Sequence, residues 1–487
     1  MMATKTIFAL GLAFVSLPSL AQPDYLRFGS PLVPAAPDPV IAKALTTIEP
    51  ASIQQTIETL VGFGTRSTLS SMEEDLPKGK GINAASDWIY AQFEAISRGC
   101  GGCLEVKRDV FTADQTSGGP WAGRIPRPTQ ITNVYAILRG SDPAEANRMV
   151  LVTGHYDSVD LNLFDDRGAA PGANDDASGV AVSLACARAL SKLHLPATIV
   201  FAAVAGEEQG LVGATHLAQL ARQQGWELEA VLNNDIVGGN STPGDTQQLK
   251  DRVRVFSEGV PATATVDEVR RIHALGEEND SPSRELARAI AAVARTYLAA
   301  GGDTAGFSAF LVARPDRYRR GGDHMAFNKE GFAAVRFTEW REDFQHQHQN
   351  VARPTAGSNE PVMGDLPEFV DFHYVAQVAR LNAATLATLA AAPGPPVHVK
   401  IELSGSKGLD NSTTLTWEAP TGGRVAHYQV VWRETTAQDW QDGKLIDPPA
   451  TGSDVQVRLP ISKDNVVFGV RSVDATGHAS VVAIPAT

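Results

Sequence analysis

Imidazole and carboxylate side chains recur at the points where apolar runs of this sequence stop. They are His155 and Asp157 in VLVTGHYDSV, Asp175 in PGANDDASG, Glu207 and Glu208 in AGEEQG, and Asp235 in NNDIVG. One such acid on its own usually caps a helix. Several carboxylates packed together without a cation would repel each other, so the set indicates a divalent metal site. Donors of these types without thiolates suit zinc, with cobalt or manganese as alternatives.

The apolar pattern predicts the elements that would bring these residues together. Strand-like runs are ITNVYAILRG, RMVLVTGHYDS, ATIVFAAVAGEE and EAVLNNDIVG, and helix-like runs among them are GVAVSLACARALSKL and GLVGATHLAQLARQQG. Strands that alternate with helices predict an α/β fold with a mostly parallel mixed sheet and helices on both faces. Ligands of such sheets bind at the carboxyl ends of the strands. We therefore expect the acids and the histidine to meet at one edge of the sheet.

The two ends of the chain differ from this central part. An apolar stretch from Ile7 to Leu17, followed by Ser19 and Ala21, is typical of a secretory signal peptide, and we predict cleavage after Ala21. No other stretch is a candidate membrane span, so we expect a secreted or periplasmic protein. Residues 22–392 are expected to form the catalytic domain.

From Pro393 onward, the sequence contains short strand-like runs. They are TTLTWEAP, AHYQVVWRE, DVQVRLP and NVVFGVRSVDATGHAS. Their alternation and regular turns predict a small all-β sandwich over residues 393–487. The spacing of Trp417, Tyr428 and Trp432 in this region resembles that of a fibronectin type III domain. We expect the domain to carry no chemistry of its own.

Cysteine usage agrees with an exported protein. Cys100 and Cys103 are separated by two glycines, which let the chain fold back, so a local disulfide is predicted in an oxidising compartment. Cys186 lies among apolar residues at helical spacing and is expected to be a buried free thiol.

The charge of the chain restricts its partners. The formal net charge is -13, and no long Lys or Arg run is present, so binding to nucleic acid is disfavoured. The densest basic stretch, RPDRYRRGGDH, runs from Arg314 to His324 and is typical of a solvated surface loop.

The motifs GHYDS, PGANDDASG, AGEEQG and NNDIVG, in this order, resemble those of the co-catalytic di-zinc aminopeptidases of the bacterial leucyl aminopeptidase type. The resemblance extends from about Ile53 to Pro393 and implies the fold of the zinc exopeptidases with two zinc ions per chain. It implies that His155 and Asp235 bind one zinc, that Glu208 and a late histidine bind the other, and that Asp175 bridges both. It also implies that Glu207 is the general base, that Asp157 orients His155, and that the peptide bond between Asp175 and Asp176 is cis.

The late histidine is predicted from its position after an F-x-E stretch. Phe337 to Glu339 match that stretch, and His346 fits the family spacing, although Asn350 and Val351 stand where the family has Asp and Thr. We therefore predict His346 as the fifth ligand and keep His348 and His324 as alternatives.

The resemblance implies an exopeptidase that removes N-terminal amino acids from peptides with a free amino terminus. Three alternatives remain open. A glutaminyl cyclase of the same fold would lack the first histidine, so His155 argues against it. A zinc carboxypeptidase would need a cationic pocket, which the basic residues from Arg317 to Arg320 could provide. A non-catalytic binding protein stabilised by a structural metal is disfavoured by the adjacent Glu207 and Glu208, because a structural site has no use for a spare base.

Overall fold

The computed structural model describes residues 23–300, 306–355, 358, 360–403, 410–422 and 424–486. The predicted signal peptide lies outside these residues. The helices are α1 (Pro39–Leu45), α2 (Pro50–Val61), α3 (Gly81–Gly99), α4 (Ala177–Leu190), α5 (Val212–Gln223), α6 (Val266–Leu275), α7 (Pro282–Tyr297), α8 (His324–Lys329) and α9 (Phe372–Ala391). None of the helices in the described ranges is long and apolar enough to cross a bilayer.

The strands fall into one large and two small sheets. They are β1 (Ser30–Pro31), β2 (Leu104–Ala113), β3 (Thr129–Leu138), β4 (Arg148–His155), β5 (Thr198–Val204), β6 (Glu227–Asn234), β7 (Arg252–Ser257), β8 (Ser308–Val312), β9 (Ala334–Thr338), β10 (Val397–Ile401), β11 (Thr413–Glu418), β12 (His427–Glu434), β13 (Asp442–Ile446), β14 (Asp454–Leu459) and β15 (Val466–Val473).

The large sheet has the strand order β2-β3-β5-β4-β6-β9-β7-β8. Its central neighbours β5, β4, β6 and β9 run parallel to one another, as do β7 and β8, whereas β2, β3 and the β7–β9 pair are antiparallel. The predicted α/β fold with a mixed sheet is therefore confirmed. The carboxyl ends of the central parallel strands therefore lie at one edge of the sheet, where the candidate ligands are expected to meet.

Successive residues of β4 pack on opposite faces of the sheet, and helices cover both faces, which explains the apolar run in this strand. Val150 and Val152 pack in one core with α4 and α9, whereas Met149 and Leu151 pack in a second core with α5 and α8. A strand that is covered on both faces needs apolar residues at every position. The predicted helices on both faces of the sheet are thus present.

The predicted state of the cysteines is confirmed. Cys100 and Cys103 form a disulfide just after α3, with their Cα atoms 5.6 Å apart. Cys186 is a free thiol buried within α4.

The strands that follow the linker at Pro393 belong to two antiparallel sheets. Strands β10, β11 and β14 form one sheet, and β1, β13, β12 and β15 form the other. Trp417 of the first sheet and Tyr428 and Trp432 of the second share one apolar core, so the two sheets pack face to face. The likeness to fibronectin type III stays a prediction. Strand β1 comes from the start of the chain and was not foreseen in this sheet.

Buried polar contacts join these two sheets to the large α/β unit. Arg433 of β12 donates a hydrogen bond to Asp280, and both side chains are 2% exposed. The indole N–H of Trp440 donates to Glu285 Oε2 at 2.9 Å. The two parts therefore share a desolvated interface.

Replacing Arg433 by Met is expected to lower the free energy of unfolding by about 1.5–3 kcal/mol, because buried Asp280 would lose its charged hydrogen bond and keep only Arg288 at 3.8 Å. Urea unfolding of the full chain measures the change. Arg458→Met is the matched control, since Arg458 is 52% exposed where it pairs with Asp410, and it should cost far less. Equal losses in the two variants would contradict a desolvated interface.

Candidate metal centre

Three adjacent parallel strands carry most of the candidate side chains to one edge of the large sheet. His155 is the last residue of β4, Asp235 directly follows β6, and Glu207 and Glu208 follow β5 by a few residues. The strand order places β4 between β5 and β6, so these residues are neighbours across the ends of the strands.

Asp176 fixes the turn that carries Asp175. Its carboxylate accepts hydrogen bonds from the backbone N–H groups of His155 at 3.0 Å, Gly179 at 2.9 Å and Ile236 at 3.3 Å. It therefore joins the ends of β4 and β6 to the start of α4. The peptide bond between Asp175 and Asp176 is cis, as predicted.

Two groups of possible metal ligands converge at this edge and share Asp175. In the first group, His155 Nε2 lies 3.1 Å from Asp175 Oδ1 and 4.0 Å from Asp235 Oδ1. In the second group, His348 Nε2 lies 2.8 Å from Asp175 Oδ2 and 3.0 Å from Glu208 Oε1. Each group offers three ligand atoms within 4.8 Å of one another. One carboxylate oxygen of Asp175 thus faces each group.

The donor atoms fit bound cations. Among the described residues, His155 Nε2 and Glu208 Oε1 are buried without a hydrogen-bond partner, although each lies close to another candidate ligand atom of its group. Buried polar atoms nearly always have a partner, so orphaned atoms that face a common centre favour a metal ion there. Imidazole and carboxylate donors without thiolates match zinc.

His346, the histidine predicted as the fifth ligand, lies outside both groups, and the structure brings His348 to that position instead. The ring of His346 stacks on Phe369 with the ring centres 3.5 Å apart, and its Nδ1 lies 3.1 Å from Thr242 Oγ1. His348 adopts a φ of 54°, a left-handed conformation that motif spacing does not anticipate. His324, the third candidate, is also outside both groups.

Asp157 connects His155 with the two glutamates. Its Oδ1 lies 3.5 Å from His155 Nδ1. Its carboxylate accepts the backbone N–H groups of Glu207 at 3.3 Å and Glu208 at 3.2 Å, and the Thr68 hydroxyl at 3.2 Å. A single buried carboxylate therefore fixes the backbone of both glutamates and faces the imidazole.

Glu207 lines the cavity beside the two groups but belongs to neither of them. Burial raises the pKa of its carboxyl group well above the usual range, and the negative charges of Asp235 and Glu208 raise it further. Burial alone would lower the pKa of His155, but the surrounding carboxylates, Asp157 above all, raise it. Divalent cations would relieve this excess of negative charge.

The two groups open onto a cavity of about 250 Å³. Its wall includes four residues with a positive φ, namely Leu211, Ile236, Arg319 and His348, out of five such non-glycine residues in the described chain. Left-handed conformations are uncommon for residues with a side chain and concentrate at functional sites. The conformation of the backbone is thus a second observation, independent of the ligand groups, that favours this cavity as the candidate site.

Sequence reasoning missed two side chains that support the candidate ligands. Arg336, fully buried on β9, donates to Asp235 Oδ1 at 2.7 Å. Asp365 accepts the backbone N–H groups of Asn174 at 2.8 Å and Asp175 at 2.7 Å. The sequence could have indicated Arg336, because it is a lone arginine within the apolar strand AVRFT. Asp365 lies 190 positions from Asp175, and nothing in the sequence pairs them.

Comparison with known proteins agrees with this geometry. Residues 133–359 match the family described as Peptidase family M28. A probable zinc metalloprotease of Leptosphaeria maculans is 42% identical over 94% of this chain and 99% of its own length. A probable zinc metalloprotease of Pyricularia oryzae is 42% identical over 92% of this chain and 85% of its own length. The chain therefore belongs to peptidase family M28.

Solved structures of lower similarity include the LapA aminopeptidase of Legionella pneumophila. It is 18% identical, with a TM-score of 0.45, over 72% of this chain and 74% of its own. The glutaminyl cyclase of Fimbriiglobus ruber is 16% identical, with a TM-score of 0.44, over 73% of this chain and 97% of its own. Structural similarity at this level does not distinguish an aminopeptidase from a glutaminyl cyclase.

Proposed function

We propose that the chain is an aminopeptidase with two zinc ions, acting on peptides that have a free amino terminus. The observation that carries the proposal is the convergence of two ligand groups on one shared carboxylate, that of Asp175. One zinc would be held by His155, Asp175 and Asp235, and the other by Asp175, Glu208 and His348. The relatives described as probable zinc metalloproteases support the choice of zinc.

Zinc ions bound there would polarise the substrate carbonyl and lower the pKa of a water molecule. Glu207 is the general base of the proposal because it lines the cavity yet is not needed as a ligand. It takes a proton from the attacking water and gives it to the departing amine nitrogen. Asp157 keeps Glu207 in place through the backbone N–H and restricts the orientation of the His155 ring.

The proposal includes export of the chain after removal of residues 1–21. The disulfide between Cys100 and Cys103 supports it, because such bonds persist in oxidising compartments. Peptides outside the cytoplasm would then be the substrates, and their cationic amino terminus suits a cavity whose wall carries several carboxylates.

A panel of aminoacyl chromogenic substrates, each with a free and an acetylated amino group, tests the activity. We expect hydrolysis of the free substrates only, loss of activity with a chelator, and recovery on addition of zinc. Equal hydrolysis of the acetylated substrates would contradict the aminopeptidase assignment. Cyclisation of N-terminal glutamine without hydrolysis would favour a glutaminyl cyclase instead.

A further inference from the structure

Arginines are concentrated on the wall of the cavity that contains Glu207. They are Arg124, Arg317, Arg319 and Arg320. Two of them share one acid, since Glu342 Oε2 accepts from Arg317 at 2.6 Å and from Arg320 at 3.2 Å. Glu342 also pairs with Arg254 at 2.9 Å through its other oxygen. Arg317 also pairs with Asp316 at 3.0 Å, so Arg317 and Arg320 are both neutralised by nearby acids.

The other two arginines have no carboxylate partner within the described chain. Arg124 donates to the backbone carbonyl of Glu208 at 3.0 Å, and its guanidinium lies 6.0 Å from the ring centre of Trp121. Arg319 makes no hydrogen bond or ion pair to any described residue. Arg319 is exposed to the solvent of the cavity, and its φ of 60° is a left-handed conformation of the kind that concentrates at functional sites.

The surplus of positive charge is local. The chain as a whole carries a formal net charge of -13 and would repel anions. If two zinc ions balance the carboxylates of the metal centre, as the proposed function holds, Arg124 and Arg319 remain as positive charges on the cavity wall without a carboxylate partner. Such charges attract a ligand group of the opposite sign that enters the cavity.

We propose that Arg319, together with Arg124, binds a carboxylate carried by the residue that follows the scissile bond. This inference rests on the proposed function, because an aminopeptidase holds one residue before that bond and the rest of the cavity receives the next. The carboxylate is the terminal one of a dipeptide or the side chain of Asp or Glu. The cavity, about 250 Å³, is small for a ligand pocket, which suits short peptides.

Two pairs of substrates test the inference with the full chain, each beginning with the residue X that the panel above shows to be cleaved best. X-Leu is compared with X-Leu-amide, and X-Glu-amide is compared with X-Gln-amide. We expect the substrate with the carboxylate to have a kcat/KM about 10-fold higher in at least one pair, as for a charged hydrogen bond. The first pair reports the terminal carboxylate, and the second reports the acidic side chain.

Arg319→Gln should abolish this preference and leave kcat/KM for X-Leu-amide and X-Gln-amide unchanged, which also shows that the variant is folded. Arg314→Gln is the matched control and should keep the preference, since Arg314 is exposed beside the Tyr318 ring and does not line the cavity. Equal kcat/KM within both pairs for the unaltered chain, or a preference that survives Arg319→Gln, would overturn the inference while leaving the aminopeptidase intact. If none of the four substrates is cleaved, both the proposed function and this inference are overturned.

Discussion

Glu207→Gln is expected to lower kcat by about 10²–10⁴-fold while the zinc content stays at two ions per chain. The amide keeps the size of the side chain but cannot accept a proton from water. Glu207 belongs to neither ligand group, so its replacement should not release metal. Steady-state kinetics and metal analysis of the same preparation measure both effects.

Glu208→Gln is the matched variant for this experiment, since the two glutamates are adjacent and both donate their backbone N–H to the carboxylate of Asp157. It should lose zinc from the group that contains His348. Loss of zinc from Glu207→Gln with retention in Glu208→Gln would mean that the roles of the two residues are exchanged.

His348→Ala is expected to remove one zinc ion and to lower kcat/KM by more than the roughly 10–100-fold typical of residues that only orient a metal ligand. Its Nε2 is the sole imidazole donor of the second group, where it lies within 3.0 Å of both Asp175 and Glu208. Zinc titration monitored by calorimetry measures the lost site, and the free-amine substrates measure the lost activity.

His346→Ala provides the control because it removes a histidine only two positions away. Its ring packs on Phe369 rather than against a ligand group, so zinc stoichiometry and kcat should be retained. The opposite result, with zinc lost from His346→Ala and retained in His348→Ala, would restore His346 as the ligand that the family spacing favours.

The central part of the fold could be predicted because its sequence pattern is unambiguous. Strands β4, β5 and β6 each contain an uninterrupted apolar run, and helices α4 and α5 lie between them. Since the carboxyl ends of parallel strands share an edge, His155, Glu208 and Asp235 followed directly from where these strands stop.

Other elements gave no such signal. Strand β2, LEVKRDVFTA, lies at the edge of the sheet and carries charged residues on its exposed side, so it does not look like a buried strand. Strand β1 is two residues long and pairs with β13 near the other end of the chain. Pairings of that kind depend on tertiary contacts, which a local pattern does not contain.

The identity of the fifth ligand also depends on tertiary contacts that a local sequence pattern does not contain. His346 and His348 lie in a loop without periodicity, and the left-handed φ of His348 determines which imidazole reaches Asp175. The supporting contacts of Arg336 and Asp365 likewise join segments that are far apart in the sequence. Donor types could be predicted from the sequence, whereas the choice between neighbouring donors required the path of the backbone.

An anomalous difference map from a crystal of the full chain grown with zinc, recorded at the zinc absorption edge, tests the central claim most directly. Two peaks are expected, one bound by His155, Asp175 and Asp235 and the other by Asp175, Glu208 and His348. A single peak, or two peaks with Asp175 bound to neither, would contradict the shared-carboxylate site from which the proposed chemistry follows.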